Sequence, residues 1–361
     1  MSIAVEKHRA APGKARDWTS DQAAAFMAEL RAELRELGVF RGDKAGYIVR
    51  SVLVLAATAI VWFALLSSES WPLRGLLVIL AGYLGVQASA IAHEAGHGAV
   101  TRDREWMALV GQVFMTAVVG ASFSAWCERH GTHHVYPNST KDPDVRPGLF
   151  RFNETDARTA TGLAGWTTRH QHLLLFPLAT LMGFSLKFAG WKFVLRQPVK
   201  VWVDLALSLL HASIWLALPA MWIDFGDALL NYALLTWVEG AYLAFVFLAN
   251  HLGGPTGDES RGWPPALRQI VTARNLPNAW WLTHLCIGLN THIEHHLFSN
   301  LPSSRLPEAR ATTRRMCLAH GIPYRECGVL QAFAEVYRHS RHIASIARIE
   351  AQSRITASQK V

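Results

Sequence analysis

The sequence predicts an all-α integral membrane fold, and three observations carry that reading. Of 361 residues, 51% are hydrophobic and only 17% charged, well below the quarter usual in a soluble chain. Six apolar stretches, roughly Tyr47–Leu66, Leu73–Ala92, Trp106–Trp126, Leu173–Gly190, Val201–Trp222 and Ala228–Ala249, each approach the ~20 residues a helix needs to cross a bilayer core. Lysine and arginine crowd some connecting segments and are missing from others. Inside lipid the backbone must satisfy its own hydrogen bonds, so spans of this length are helices.

The elements follow in chain order. Residues 1–46 form a polar arm carrying Lys7, Arg9, Lys14, Arg16, Arg31, Arg35, Arg41 and Lys44. No apolar core stands near its start, so no cleaved export signal is expected. Phe26, Leu30, Leu34 and Leu37 recur at helical spacing behind Ser20 as N-cap, with Glu29, Arg31 and Glu33 on the other side. That pattern predicts an amphipathic helix lying on a surface, taken to be the membrane's.

Charge then decides which stretches cross. The connectors Ser67–Pro72 and Ile223–Asp227 contain Glu69, Asp224 and Asp227 and no Lys or Arg. The arm, the segment from His93 to Lys200 and everything after Asn250 are rich in both, which the positive-inside bias assigns to the cytoplasm. Two hairpins, Tyr47–Leu66 with Leu73–Ala92 and Val201–Trp222 with Ala228–Ala249, satisfy all these charges with four spans. A single crossing by Trp106–Trp126 or by Leu173–Gly190 would carry basic segments to the wrong side. The second is also interrupted by Pro177, Gly183 and Lys187, so both are expected as half-inserted or interfacial helices.

Three regions result: a cytoplasmic arm (1–46), a membrane catalytic domain (47–307) and a cytoplasmic helical tail (308–361), whose last stretch sets Leu330, Phe333, Val336 and Tyr337 beside Arg338 and Arg341. The formal charge of +8 follows the sides of the membrane rather than one patch, which argues against a nucleic acid partner. The four cysteines (Cys127, Cys286, Cys317, Cys327) lack CxxC spacing and are expected as free thiols.

Seventeen histidines are present, eight of them in three groups: His93-Glu-Ala-Gly-His97, His130-Gly-Thr-His133-His134 and His292-Ile-Glu-His295-His296. On a helix, i, i+3 and i, i+4 spacing stacks imidazoles about one turn apart, so each group offers nitrogens toward a common centre. Neutral imidazole ligates first-row metals, and eight of them suffice for more than one ion. In the predicted topology all three groups lie on one side of the membrane. His251, where the fourth span ends, is a candidate ninth ligand. Glu94, Glu128, Asp142, Asp144, Asn250 and Glu294 adjoin the groups and are candidates to support the ligands, since a metal-bound imidazole usually gives its other N–H to a carboxylate or carbonyl. His170, His172 and His284 read as interfacial, and His8, His320, His339 and His342 as surface histidines. Within the bilayer, His211 and Glu239 lie 14 residues either side of Phe225 and are expected to pair at equal depth.

At this point the chain resembles the integral-membrane fatty acyl desaturases, whose signature is three histidine boxes, HxxxH, HxxHH and HxxHH. The run from His133 to Asp144 is similar to the stretch after the family's second box, and Gly288 to Pro302 resembles its third. The resemblance implies two non-haem irons held by the eight box histidines, with O₂ and two electrons removing two hydrogens from an unactivated acyl chain. It implies lipid-like substrates and a four-span bundle with a cytoplasmic cap. Front-end members commonly begin the third box with Gln, where His292 stands here, and many carry a fused cytochrome b5 domain with HPGG, a motif this sequence lacks. Electrons are therefore expected from a separate ferredoxin or cytochrome b5-type donor. Some members take a ligand from Asn-x-x-x-His after the fourth span, whereas Asn250 and His251 are adjacent.

Two alternatives stand beside this. Membrane hydroxylases, ketolases and acetylenases are built on the same boxes. His93-Glu94-Ala-Gly-His97 is also HExxH, the zinc-protease motif with Glu94 as general base, but that reading leaves both HxxHH groups unexplained and the chain has no Asp-Gly dipeptide.

Overall fold

The computed structural model describes residue 15 and residues 17–359. Lys7, His8, Arg9, Lys14 and Arg16 of the basic arm lie outside the described residues. Helix α1 (Ser20–Glu36) opens on a capping box in which Thr19, not Ser20, is the N-cap and exchanges hydrogen bonds with Gln22. Its apolar stripe of Phe26, Leu30 and Leu34 is buried as expected, yet against Leu267, Ile270, Phe298 and Met316 of the protein itself. The expectation of a membrane-lying helix is therefore corrected: a protein core takes up the stripe, and Leu37 alone of the four points outward.

Among the described residues, four helices are each long and apolar enough to cross a membrane: α2 (Lys44–Ser67), α3 (Trp71–Gly96), a third running Trp202–Met221 and a fourth at Phe225–His251. Between them, α4 (Arg104–Gly111) continues as a π-helical stretch, Gln112–Val119, and bends by 110° into α5 (Phe123–Val135). Gly120 makes the corner at φ +82, where a Cβ would also fall 2.3 Å from the His211 ring. After the short α6 (Glu154–Thr159), α7 (Gly162–Ala179) and α8 (Met182–Arg196) meet at 80° just beyond Pro177. Neither bent pair is one straight crossing helix, and the second breaks close to Pro177, one of the interruptions the sequence showed.

The third span begins as α9 (Trp202–Ala212) and ends in π and 3₁₀ turns, and the fourth is α10. Spans α3 and α10 pack on each other, and α8 approaches α10 so closely that a Cβ on Gly183 would meet the Thr236 carbonyl at 2.1 Å. A cap follows: α11 (Asp258–Arg261), α12 (Pro265–Val271), α13 (Trp280–Leu285), α14 (His292–Leu297), α15 (Leu306–Ala319) and α16 (Val329–Ser358). Helix α16 buries Ala332, Val336, Ile343 and Ala347, partly against α6 and α7, while Leu330 stands exposed, so its apolar stripe is rotated from the expected one. All four cysteines are free.

The expected His211–Glu239 pair does not form. His211 uses Nδ1 on the Ala117 carbonyl (3.0 Å) and Nε2 on the Tyr232 hydroxyl (3.2 Å), whereas Glu239 pairs with Lys187 at 3.0 Å. Counting along two helices gave equal depth but not the third helix, α8, whose lysine claims the carboxylate. The Lys187 ammonium also lies 4.7 Å over the Tyr232 ring and 3.2 Å from Thr236 Oγ1, so the two groups end in one polar chain through Tyr232 and Lys187. Buried Asp204 on α9 accepts from Ser122 (2.5 Å), Gln112 (2.7 Å) and both the hydroxyl (2.7 Å) and N–H (3.1 Å) of Ser124. It thereby fixes the corner from which α5 starts.

Candidate metal centre

The first two histidines stand on the last turn of α3, spaced i, i+4, and the next three stand on α5, which Asp204 and the Gly120 corner aim back under the end of α3. His251 closes α10, and α14 carries the third group with every one of its six residues buried. Their Nε2 atoms gather in two sets. In the first, His130 stands 3.1 Å from His93, 3.0 Å from His97 and 3.1 Å from His134, and His134 stands 3.1 Å from His295. In the second, His251 stands 3.1 Å from His133, 2.7 Å from His292 and 3.0 Å from His296, with His292 and His296 3.2 Å apart. Five imidazoles thus meet in one cluster and four in the other.

The tautomers can be read from the other ring nitrogen. His133 Nδ1 faces Asp142 Oδ2 at 2.9 Å, His251 Nδ1 the Thr272 carbonyl at 3.1 Å and His296 Nδ1 the Gln269 Oε1 at 3.0 Å. Each therefore donates from Nδ1, which leaves a bare lone pair at Nε2 when the ring is neutral. Lone pairs facing one another at 3 Å repel unless a cation stands among them. Ligand nitrogens about 2.1 Å from a metal and at right angles to one another stand about 3 Å apart, so these donors fit a metal ion in each cluster.

Electrostatics keep the three rings of α14 in the neutral, ligating form. Burial, with the neighbouring imidazoles, holds His292, His295 and His296 well below the usual histidine pKa. Burial acts the same way on His133, but the hydrogen bond and charge of Asp142, seconded by Asp144, outweigh it and raise its pKa. Asp142 is itself fixed by the N–H groups of Asn138 (2.7 Å) and Asp144 (2.9 Å).

The other adjoining residues divide. Asp144 reaches His133 Nδ1 at 3.5 Å and Arg129 at 2.8 Å. Glu94 faces no histidine: it accepts from Arg50 (2.7 Å) and Ser303 (2.6 Å). Glu294 accepts from Asn275 (2.8 Å) and Tyr324 (2.6 Å), which ties α14 to the cap, and burial raises its pKa. Glu128 is exposed. Both polar side-chain atoms of buried Asn250 lack a hydrogen-bond partner, as does His292 Nδ1. His170 and His284 bond back to their own helices, outside the clusters. Sequence reasoning missed Gln269, Asn138, Arg50 and Ser303. Of these only Asn138, inside the run after the second box, carried a local signal.

An all-helical membrane protein with two imidazole clusters at one end of its spans is the class this fold and site define. The chain belongs to the fatty acid desaturase family, whose model matches residues 69–328. Its relatives include a Mus musculus protein named fatty acid desaturase 2-like protein FADS2B, 25% identical over 331 residues that make 88% of this chain and 66% of the relative. Fatty acid desaturase 3 of Bos taurus is 26% identical over 321 residues, 86% and 70% of the two chains. The acyl-lipid (9-3)-desaturase of Physcomitrium patens is 25% identical over 341 residues, 88% and 62%. The chain thus spans about two thirds of the length of these curated relatives.

Proposed function

We propose that the two clusters hold a pair of iron ions and that the protein is an O₂-dependent desaturase of long alkyl or acyl chains. The convergence of nine Nε2 atoms at 2.7–3.2 Å, in two sets beneath four apolar spans, carries this reading, and membership of the family supports it. His93, His97, His130, His134 and His295 would hold one ion, and His133, His251, His292 and His296 the other. When bound, the irons supply the oxidising power to break an unactivated methylene C–H bond. In balance, –CH₂–CH₂– with O₂, two electrons and two protons gives –CH=CH– and two waters, the electrons coming from a separate ferredoxin or cytochrome b5-type donor.

The chain's own residues provide the setting. Asp142, Gln269 and the Thr272 carbonyl hold imidazole N–H groups and so orient the rings. Burial of α14 keeps water from its three histidines. Residues 47–307 would be the catalytic unit, with 1–46 and 308–361 as arm and tail. The acidic connectors opposite the histidines support a cytoplasmic position for the clusters and both termini.

The test is expression in a host with a suitable reductant, comparing lipid and fatty acid profiles of wild type and His295→Ala under air and under nitrogen. A new unsaturated product that needs both air and His295 is expected. An added-oxygen product would make the protein a hydroxylase instead, and a product independent of His295 would remove the metal centre from the chemistry.

A further inference from the structure

The turn between α13 and α14 ends α13 in a Schellman arrangement: Ile287 N–H bonds the His284 carbonyl at 3.2 Å and Gly288 N–H the Thr283 carbonyl at 2.8 Å. The residue in the left-handed position of such a motif is usually glycine. Here it is Ile287, at φ +51, a conformation that β-branched side chains avoid. Gly288, at φ +83, follows it. Two spans hold the strained turn in place, since Gln87 donates to the His284 carbonyl (3.2 Å) and the Tyr242 hydroxyl to the Leu285 carbonyl (2.7 Å).

Two further observations say what the strain serves. Ile287 and Leu289 line a small crevice together with Glu94, Ser299, Ser303 and three histidines of the five-imidazole cluster, His93, His97 and His295. Gln87 lies six residues before His93 on α3 and Tyr242 nine before His251 on α10, about 9 Å and about 14 Å toward the bilayer from the histidines. Helix α13 is therefore set alongside the spans, and it exposes Trp280 (79%) and Trp281 (53%), side chains at home at a lipid interface. Helix α13 thus carries the exposed tryptophans at its start and leads into Ile287, beside the five-imidazole cluster, just past its end.

We propose that Ile287 is a specificity-determining residue: an alkyl chain arriving from the lipid over α13 is set against it, and its bulk fixes which carbons stand beside the cluster. A backbone strained at a functional wall is the expected signature, because a glycine there would relieve the strain but leave the wall bare. This rests on the desaturation reading, and the two can fail separately.

Two measurements on the full-length, iron-loaded protein in lipid test it. Ile287→Gly and Ile287→Ala are compared with wild type for double-bond position, product chain length, iron content and thermal midpoint. The expected result is a several-fold change in the ratio of positional or chain-length products at unchanged iron content, with Ile287→Gly no less stable than Ile287→Ala. Unchanged product ratios in both variants overturn the proposal. Photolabelling of wild type in vesicles carrying a diazirine-tagged acyl lipid is independent of turnover and is expected to mark the peptide spanning 280–291. Labelling confined to other peptides overturns the proposal, whereas labelling there without any oxidised product upholds the alkyl path and removes the desaturase assignment.

Discussion

Replacing Asp142 by asparagine separates the two clusters. The carboxylate is fully buried, and its Oδ2 accepts from His133 Nδ1 and Asn138 N–H while its Oδ1 accepts from Asp144 N–H. Asparagine keeps the shape but has one oxygen. If that oxygen stays on His133 and Asn138, the amide nitrogen confronts the Asp144 N–H, donor against donor, at a cost of about 1–3 kcal/mol in stability. His133 also loses the charge that raises its pKa and makes Nε2 a better ligand. Loss of such a partner weakens metal binding about 10–100-fold, or about 1.4–2.7 kcal/mol. On the proposal of two bound irons, the assay is iron retained per chain against graded chelator. Half of the iron should leave at about 10–100-fold lower chelator concentration than in wild type, with the other half held by the five-imidazole cluster. Release of both ions as in wild type would refute the account of His133, and loss of both together would refute the assignment of separate clusters.

Further outcomes follow from the same contacts. Lys187→Met strands the buried Glu239 carboxylate and should cost about 3–5 kcal/mol in detergent unfolding experiments, with Lys187→Met/Glu239→Gln recovering most of it; equal losses in both variants would contradict a true ion pair. Metal-free protein should lose stability as pH falls below about 6.5. The reason is that His292, His295 and His296 refuse protons that the unfolded chain takes up; a flat thermal midpoint from pH 7 to pH 5 in the apo protein would count against their burial. Glu94→Gln should keep its iron and stay within about tenfold of wild-type turnover, an effect of about 1.4 kcal/mol, because Glu94 serves Arg50 and Ser303 rather than a reacting group. Loss of all turnover with metal retained would revive the hydrolytic reading of His93-Glu94-Ala-Gly-His97.

The sequence made the spans legible because lipid imposes a length and a composition that need no tertiary knowledge. The bends in the two remaining apolar stretches are local, at Gly120 and just beyond Pro177, and of these only Pro177 was singled out in the sequence as an interruption. What stayed hidden depended on a third element. The α1 stripe reads the same whether lipid or α12 and α15 covers it, and His211 and Glu239 were matched in depth without regard to Lys187 on α8. Gln269 looks like any polar residue until α12 places it between His296 and the His134 carbonyl.

The division of the histidines explains why two motifs are HxxHH and one is HxxxH. Each helical residue advances about 100°, so positions i and i+4 lie about 40° apart while i+3 lies about 100° from i+4. In α5 the i, i+4 pair, His130 and His134, joins the five-imidazole cluster, and His133 at i+3 turns to His251. In α14 the roles reverse: His292 and His296 face His251, and His295 turns to His134. Each HxxHH helix therefore straddles both clusters, giving two rings to one and a single ring to the other, and the two helices do so in opposite senses. His93 and His97, on a span that reaches only one cluster, have no need of an i+3 partner, and His251 makes up the fourth ring of the other. Two clusters of rings built this way keep their spacing only while α5 and α14 keep theirs, and the Asp204 anchor at the start of α5 and the Glu294–Tyr324–Asn275 tie on α14 hold those helices in place.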